Sequence, residues 1–286
     1  MKKNHLLIQL DKLISILSRI AQPVPHPIEA EKADCFVWNP QTLLATPVKN
    51  VNRIDICLIV GINNIRDILI ENTRRFAKNL PANNVLLWGA RGMGKSSLIK
   101  AAQGFINQEQ MHLKPLKLIE IHREDISTLP LLMKELKKSK YRFILFCDDL
   151  SFDYEDTSYR YLKTALDGSV EGPPENVLFY ATSNRRHLMP RDMIDNERSL
   201  IHPSEAIEEK VSLSDRFGLW LGFNTCSRKD YLTMVENYAR YYRLDEEPEK
   251  LHRDALAWSI ARGSSSGRVA WQFIQDLAGR LGKTLI

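Results

Sequence analysis

Between Val85 and Phe223 the chain alternates short, largely apolar runs with longer stretches whose apolar residues recur every three or four positions. The runs are Val85 to Trp88, Leu118 to Ile121, Phe143 to Cys147 and Val177 to Ala181, with a further one at Leu219 to Phe223. The periodic stretches between them are Lys95 to Ile106, Ile126 to Lys138 and Ser158 to Leu166. A strand that is apolar on both faces needs cover on both, and helices between successive strands supply it. The pattern therefore predicts an α/β fold, a doubly wound parallel sheet with flanking helices.

The flanks read differently. Leu6, Leu7, Leu10, Leu13, Ile14, Leu17 and Ile20 fall at helical spacing and predict an amphipathic N-terminal helix. Gln9, Asp11, Lys12, Ser15 and Arg19 interrupt any signal-peptide core there. Pro23, Pro25, Pro27, Pro40 and Pro47 then argue for a linker from Ala21 to Pro47, with Phe36, Val37 and Trp38 as an anchoring cluster. Gly61 to Leu80 is helical by its period and is stopped by Pro81. After the last strand, Ser227 to Tyr242, Pro248 to Arg262 and Gly267 to Leu281 predict three helices. The expected division is an N-terminal helix and linker over 1–60, an α/β core over 61–223 and a helical lid over 224–286.

Composition adds limits rather than a function. Of 286 residues, 44% are hydrophobic and 26% charged, the make-up of an ordinary globular chain. Forty basic against thirty-five acidic residues leave a net charge of +5, too mild to imply nucleic acid or an anionic membrane without a local patch. Cys35, Cys57, Cys147 and Cys226 have neither CxxC spacing nor paired histidines nearby, so a zinc site and a disulfide framework are both unsupported. They are expected to be reduced, as in the cytoplasm. No stretch has the apolar length needed for a transmembrane span.

The chemistry is concentrated where the first core strand ends. Gly89, Ala90, Arg91, Gly92, Met93, Gly94, Lys95 and Ser96 satisfy G-x-x-x-x-G-K-[ST], between a strand and a helix as that motif requires. With glycine at ~7% of residues, the bare pattern turns up in roughly one chain in a hundred of this length, and the strand-helix context makes it rarer. Glycines permit the bend and the close approach of backbone N–H groups to a polyphosphate. Lys95 would reach the β and γ phosphates, Ser96 would place its hydroxyl on Mg²⁺, and Ser97 continues the phosphate-binding set into the helix.

A second strand, "RFILFCDDL", ends in Asp148 and Asp149. The first acid could hold Mg²⁺ and the second could activate an attacking water. Turns welcome aspartate too, so the pair gains its meaning from the upstream phosphate loop. A third strand ends in Thr182, Ser183 and Asn184, whose amide could position that water; an asparagine suits a plain strand-to-helix turn equally.

At this point the chain resembles the AAA+ ATPases, from Gly61 to the C-terminus, and most closely the bacterial and archaeal group known as DUF 815. The segments "ANNVLLWGARGMGKSSL", "RFILFCDDLSF", "NVLFYATSNRRHL", "IHPSEAIEEKVSLSDRFGLWLGF" and "GSSSGRVAWQFIQDLAGR" carry the likeness, in order. The resemblance implies an AAA+ core with a C-terminal lid, binding ATP and Mg²⁺. By it Gly89 to Ser96 match Walker A, Asp148 and Asp149 match Walker B, and Asn184 matches sensor 1. Arg216 in "LSDRFG" matches the arginine finger that reaches a neighbouring subunit's nucleotide, and Arg268 in "SGRVAWQF" matches sensor 2. Val60 and Gly61 match the segment beside adenine. Two departures matter. Asp149 stands where many AAA+ proteins carry glutamate, and Ile121 to Ser127 lacks the aromatic-apolar-glycine loop of protein-threading machines, which argues against an unfoldase.

Three functions fit these residues. One is an ATPase that assembles as a homo-oligomer, a ring or partial ring, to remodel or load a protein client. Another is a nucleotide-dependent binding switch with little turnover. The third is a nucleic-acid-directed factor resembling helicase loaders, with Arg185, Arg186 and His187 or the basic run Lys134 to Arg142 as contacts, although either cluster also suits a solvated turn or helix end. A small-molecule kinase is disfavoured by the paired acids and the third-strand asparagine.

Overall fold

The computed structural model describes residues 27–110, 113–153, 156–168, 170, 172–186, 188 and 213–285. The expected N-terminal helix lies outside these residues, as do His187 and most of the segment that begins at Ile201. The apolar runs form the middle of a seven-stranded sheet: β1 (Cys35–Asn39), β2 (Leu44–Pro47), β3 (Val85–Gly89), β4 (Lys117–Glu120), β5 (Phe143–Cys147), β6 (Val177–Ser183) and β7 (Leu219–Phe223). Their spatial order is β2-β1-β4-β5-β6-β3-β7. Only β2 runs antiparallel, against β1.

Helices cover both faces, as the unbroken apolar runs demand. Val85 and Leu87 of β3 with Ile144 and Phe146 of β5 face α1 (Asn63–Ala77) and α2 (Lys95–Glu109). Leu86, Phe143, Leu145 and Cys147 point the other way, toward α3 (Leu129–Lys137) and α4 (Tyr159–Asp167). Every residue of β5 and β6 is buried. One polar tie crosses the core: the Tyr180 hydroxyl meets Asn72 Nδ2 and Thr73 Oγ1, each at 3.0 Å, and fastens α1 to the central strand. Burial pushes that phenol up to about 12, so it stays neutral and available as donor or acceptor.

The segment expected to be a linker instead supplies two strands. Phe36, Val37 and Trp38 form the middle of β1, between β2 and β4. Proline density misled because the prolines sit where a strand tolerates them. Pro40 lies in the hairpin turn, and Pro47 ends the edge strand. Asn39 holds the turn by accepting from the N–H groups of Gln41 and Thr42, and Trp38 Nε1 donates to Thr128 Oγ1 at 2.8 Å. The predicted helix from Ile126 also divides, into a 3₁₀ stretch (Arg123–Thr128) and α3, with Pro130 in the first turn of α3 where its missing N–H costs no bond.

The three C-terminal helices are α5 (Arg228–Tyr241), α6 (Pro248–Ala261) and α7 (Gly267–Arg280). Ser227 and Ser266 cap α5 and α7 by accepting from Asp230 N at 3.0 Å and Val269 N at 3.3 Å. Their buried faces, including Val235, Ala255, Ala270 and Phe273, join the same core as α1 and α2. This places α7 over the carboxyl end of β3. Because β6 lies between β3 and β5, the loops after all three strands open at one place.

Candidate functional site

The bend after β3 needs glycine for a different reason at each position. Gly89, Gly92 and Gly94 have φ of 123°, 72° and 84°. A Cβ on Gly89 would lie 2.1 Å from the Phe223 carbonyl oxygen, which accepts the Ala90 N–H, so the bend packs tightly on β7. A Cβ on Gly92 would lie 2.9 Å from Ser266 Oγ, and the Gly92 carbonyl accepts the Arg268 N–H at 3.1 Å. The loop and lid thus touch through backbone. At Gly94, which caps α2, a Cβ would meet nothing within 4 Å. Its left-handed backbone turns the chain into the helix while the space beside it stays open. The first N–H groups of α2 have no acceptor within the helix and form a ready anion site.

Lys95 is only 7% exposed, and its ammonium donates to Gly89 O and Ala90 O at 2.9 Å and to Asn184 Oδ1 at 3.1 Å. Burial pushes its pKa down; Asp148 and Asp149 pull it up, while Arg91 and Arg268 push it further down. Ser96 Oγ donates to Asp148 Oδ1 at 2.5 Å, and Asn184 Nδ2 donates to Asp149 Oδ1 at 2.5 Å. The two adjacent acids therefore serve different partners.

These groups line a cavity of about 860 Å³. Its volume lies within the usual range of ligand sites. Its lining brings Lys95, Ser96, Ser97, Asp148, Asp149 and Asn184 together with Ile59, Val60, Tyr238, Tyr242 and Trp271, and with Arg268 of the lid. The Trp271 ring lies 5.4 Å from that of Tyr238 and 5.7 Å from that of Tyr242, an aromatic wall on α5 and α7 with a planar face for a base. The charged lining is Arg53, Arg91, Lys95 and Arg268 against Asp148 and Asp149, an excess of cations suited to a polyanion. Met93 and Gly92 complete the rim. Gly89 and Ala90 stand behind it, their carbonyls held by Lys95.

Two expected residues lie elsewhere. Gly61, with φ of 80°, packs against Asp230, 3.5 Å from where its Cβ would be, rather than on the cavity wall beside Val60. Arg216 lines a separate cavity of about 570 Å³ with Asn83, Val177 and Asp215, at the amino-terminal end of the strands. There its Nε pairs with Asp167 Oδ1 at 2.6 Å. Arg216 cannot reach the site of its own chain.

Among the described residues no three acids, histidines or cysteines come together to hold a metal unaided. Ser96 and Asp148 offer a hydroxyl and a carboxylate at contact distance. This suits a hard divalent ion that keeps its waters and takes further oxygens from a phosphate. Sequence reasoning left Thr182, Tyr242 and Trp271 without roles. The aromatic pair sits at the helical spacing of ordinary core residues, and only the packing of α5 against α7 shows that it also faces the cavity.

The profile of a family described as "Protein of unknown function (DUF815)" matches residues 31–281, a span that includes β1 and β2. Among solved structures, a single-residue variant of RuvB from Thermotoga maritima superposes with a TM-score of 0.54 at 14% identity, over 80% of this chain and 66% of that one. ORC1 from Aeropyrum pernix, solved in complex with DNA, superposes with a TM-score of 0.53 at 14% identity, over 79% and 65%. The chain thus spans just under two thirds of the length of either. Likeness at that identity is one of fold, and the fold is that of the AAA+ P-loop proteins. No curated protein sequence matches the chain.

Proposed function

This chain belongs to the DUF815 family, and we propose that it binds ATP with Mg²⁺ and hydrolyses it to ADP and phosphate. One observation carries this reading: Asn184 joins Lys95 to Asp149 across the mouth of a glycine-paved, cation-rich loop. Lys95, released from the loop carbonyls, pairs with the β and γ phosphates, and the N–H groups at the start of α2 receive their oxygens. Ser96 and Asp148 hold Mg²⁺, which neutralises charge on the phosphates when bound. The base lies between Val60 and the aromatic wall at Trp271 and Tyr242.

Asn184 orients a water beside Asp149. The water oxygen bonds to the γ phosphorus as the bond to the bridging oxygen breaks, ADP leaves with that electron pair, and the water's proton passes to the Asp149 carboxylate. The shorter aspartate in place of glutamate favours slow or partner-stimulated turnover. The intervening β6, with Asn184 at its end, supports attack by water rather than by a kinase substrate.

Arg216 has work on a nucleotide only if a second copy brings it, which supports a homo-oligomer, ring or partial ring, acting on a protein client. Among the described residues no helix is long and apolar enough to cross a membrane, and the free cysteines suit the cytoplasm. A nucleic-acid-directed role is the second reading. Arg185 and Arg186 are exposed immediately after Asn184, and solved structures of this fold include a Holliday junction branch migration motor, RuvB of Thermotoga maritima. A DNA-binding curve whose affinity falls steeply with salt would favour that role.

Equilibrium binding of a fluorescent ATP analogue with Mg²⁺, by the unmodified protein and by Lys95→Ala, tests the nucleotide site. Lys95→Ala should lose affinity by about 10- to 100-fold, as expected for a lost charged hydrogen bond. Equal binding by the two proteins would overturn the site assignment. Binding without turnover under any condition would leave a nucleotide-dependent switch in its place.

A further inference from the structure

The two acids after β5 are neighbours in sequence, yet one turns to Ser96 and the other to Asn184. Successive side chains along a strand alternate in direction, so the division alone needs no device. What does need one is the backbone of the second acid: Asp149 has φ of 51°, a left-handed conformation that a residue with a Cβ adopts at a cost.

Thr182 meets this stretch at three points. Its hydroxyl donates to Asp148 Oδ1 at 2.5 Å and accepts the Asp149 N–H at 2.9 Å, while its carbonyl accepts the Leu150 N–H at 2.7 Å. A hydroxyl has one proton to give, and here it goes to one acid's side chain while a lone pair takes the other acid's backbone. The side chain can do this because β6 lies between β3 and β5: Ala181 pairs with Cys147, which leaves Thr182 level with Asp148. Thr182 is 1% exposed, so water does not compete for these bonds.

We propose that Thr182 is the positioning residue that separates the two acids, aiming Asp148 at Ser96 and the metal position and fixing the strained Asp149 peptide so that its carboxylate faces Asn184. This rests on the ATPase reading of the site. Thr182 borders the cavity, and its hydroxyl is taken up by the Asp148 side chain and the Asp149 N–H, so it acts through the two acids. Valine at this position keeps the strand-favouring branched shape and removes the hydroxyl. Serine keeps the hydroxyl and removes a methyl.

The test compares full-length protein with Thr182→Val and Thr182→Ser, measuring affinity for the fluorescent ATP analogue in excess Mg²⁺ and in EDTA, then KM and kcat for ATP. Thr182→Val should bind within about twofold of the unmodified protein in EDTA. It should lose roughly 10- to 100-fold of the Mg²⁺-dependent gain in affinity and of kcat, the usual effect of removing a group that orients a ligand. Thr182→Ser should recover most of both. If Thr182→Val matches the unmodified protein, the inference fails while the nucleotide site stands. If Thr182→Ser is impaired like Thr182→Val and both lose affinity in EDTA as well, packing rather than the hydroxyl is responsible and the inference also fails. Unmodified protein that binds no nucleotide overturns the ATPase reading, and this inference with it.

Discussion

The side-chain amide of Asn184 accepts the Lys95 ammonium at 3.1 Å through its oxygen and donates to Asp149 at 2.5 Å through its nitrogen. The residue that follows β6 thereby contacts both the phosphate loop and the proposed base. If Lys95 turns to a phosphate as proposed, the Asn184 oxygen loses this partner and is free to orient a water. Asn184→Ala should leave nucleotide affinity within a few-fold of the unmodified protein and lower kcat by about 10²-fold, the range associated with one preorganised polar group. Parallel binding and turnover assays read the split.

Lys95 gives the unliganded protein a signature in its stability. Burial lowers the lysine below its ordinary 10.5. Between the folded value and 10.5 the unfolded chain holds more protons than the folded one, so rising pH stabilises the fold through this residue. Below the folded value the cost of burying the cation is present in full. The stability of unmodified protein relative to Lys95→Met should therefore rise as pH climbs through that window toward 10.5. Denaturant unfolding at several pH values checks it, and a constant difference would mean that the ammonium is effectively solvated.

Arg216 and the cavity stand at opposite ends of the sheet. Its ion pair with Asp167 is partly exposed, and such pairs contribute about 1 kcal/mol or less, so Arg216→Ala should remain folded. It should bind nucleotide normally and lose turnover by roughly 10³-fold or more if it serves a neighbouring copy. Mixing it with Lys95→Ala, which retains Arg216, should restore part of the activity. Failure of every mixture to do so would count against action in trans.

Gly89 and Gly94 separate packing from backbone conformation. Gly89→Ala would drive a Cβ into the Phe223 carbonyl and should fail to fold normally. Gly94→Ala meets no atom, so its effect on stability reduces to the left-handed backbone, about 1–2 kcal/mol. Thermal melts of the two variants should differ sharply; similar losses would show that contact with β7 is unimportant.

Much of this arrangement is legible in the chain because its signals are local. The runs Val85 to Trp88 and Phe143 to Cys147 are apolar at every position, short and bounded by turn residues, as doubly covered strands are, and Gly89 to Ser96 fixes the loop that follows. Val60 and Arg268 also line the cavity. The hairpin at Cys35 to Pro47 was hidden because its prolines report on a turn and an edge, while its pairing with β4 spans some eighty residues. Thr182 was hidden for a related reason. A threonine near a strand's end is unremarkable until strand order sets it beside Asp148. Tyr242 and Trp271 keep the spacing of core residues, and their second exposure depends on how α5 meets α7.

The most direct measurement is phosphate release from ATP by purified protein, as specific activity over a wide range of protein concentration, beside Asp149→Asn. Activity that rises with concentration and disappears in Asp149→Asn is the expected result if, as proposed, Asp149 is the base in one copy and Arg216 reaches that copy's nucleotide from another. Activity that is unchanged in Asp149→Asn would contradict the assignment of the base, and specific activity independent of concentration down to the monomer would contradict assembly.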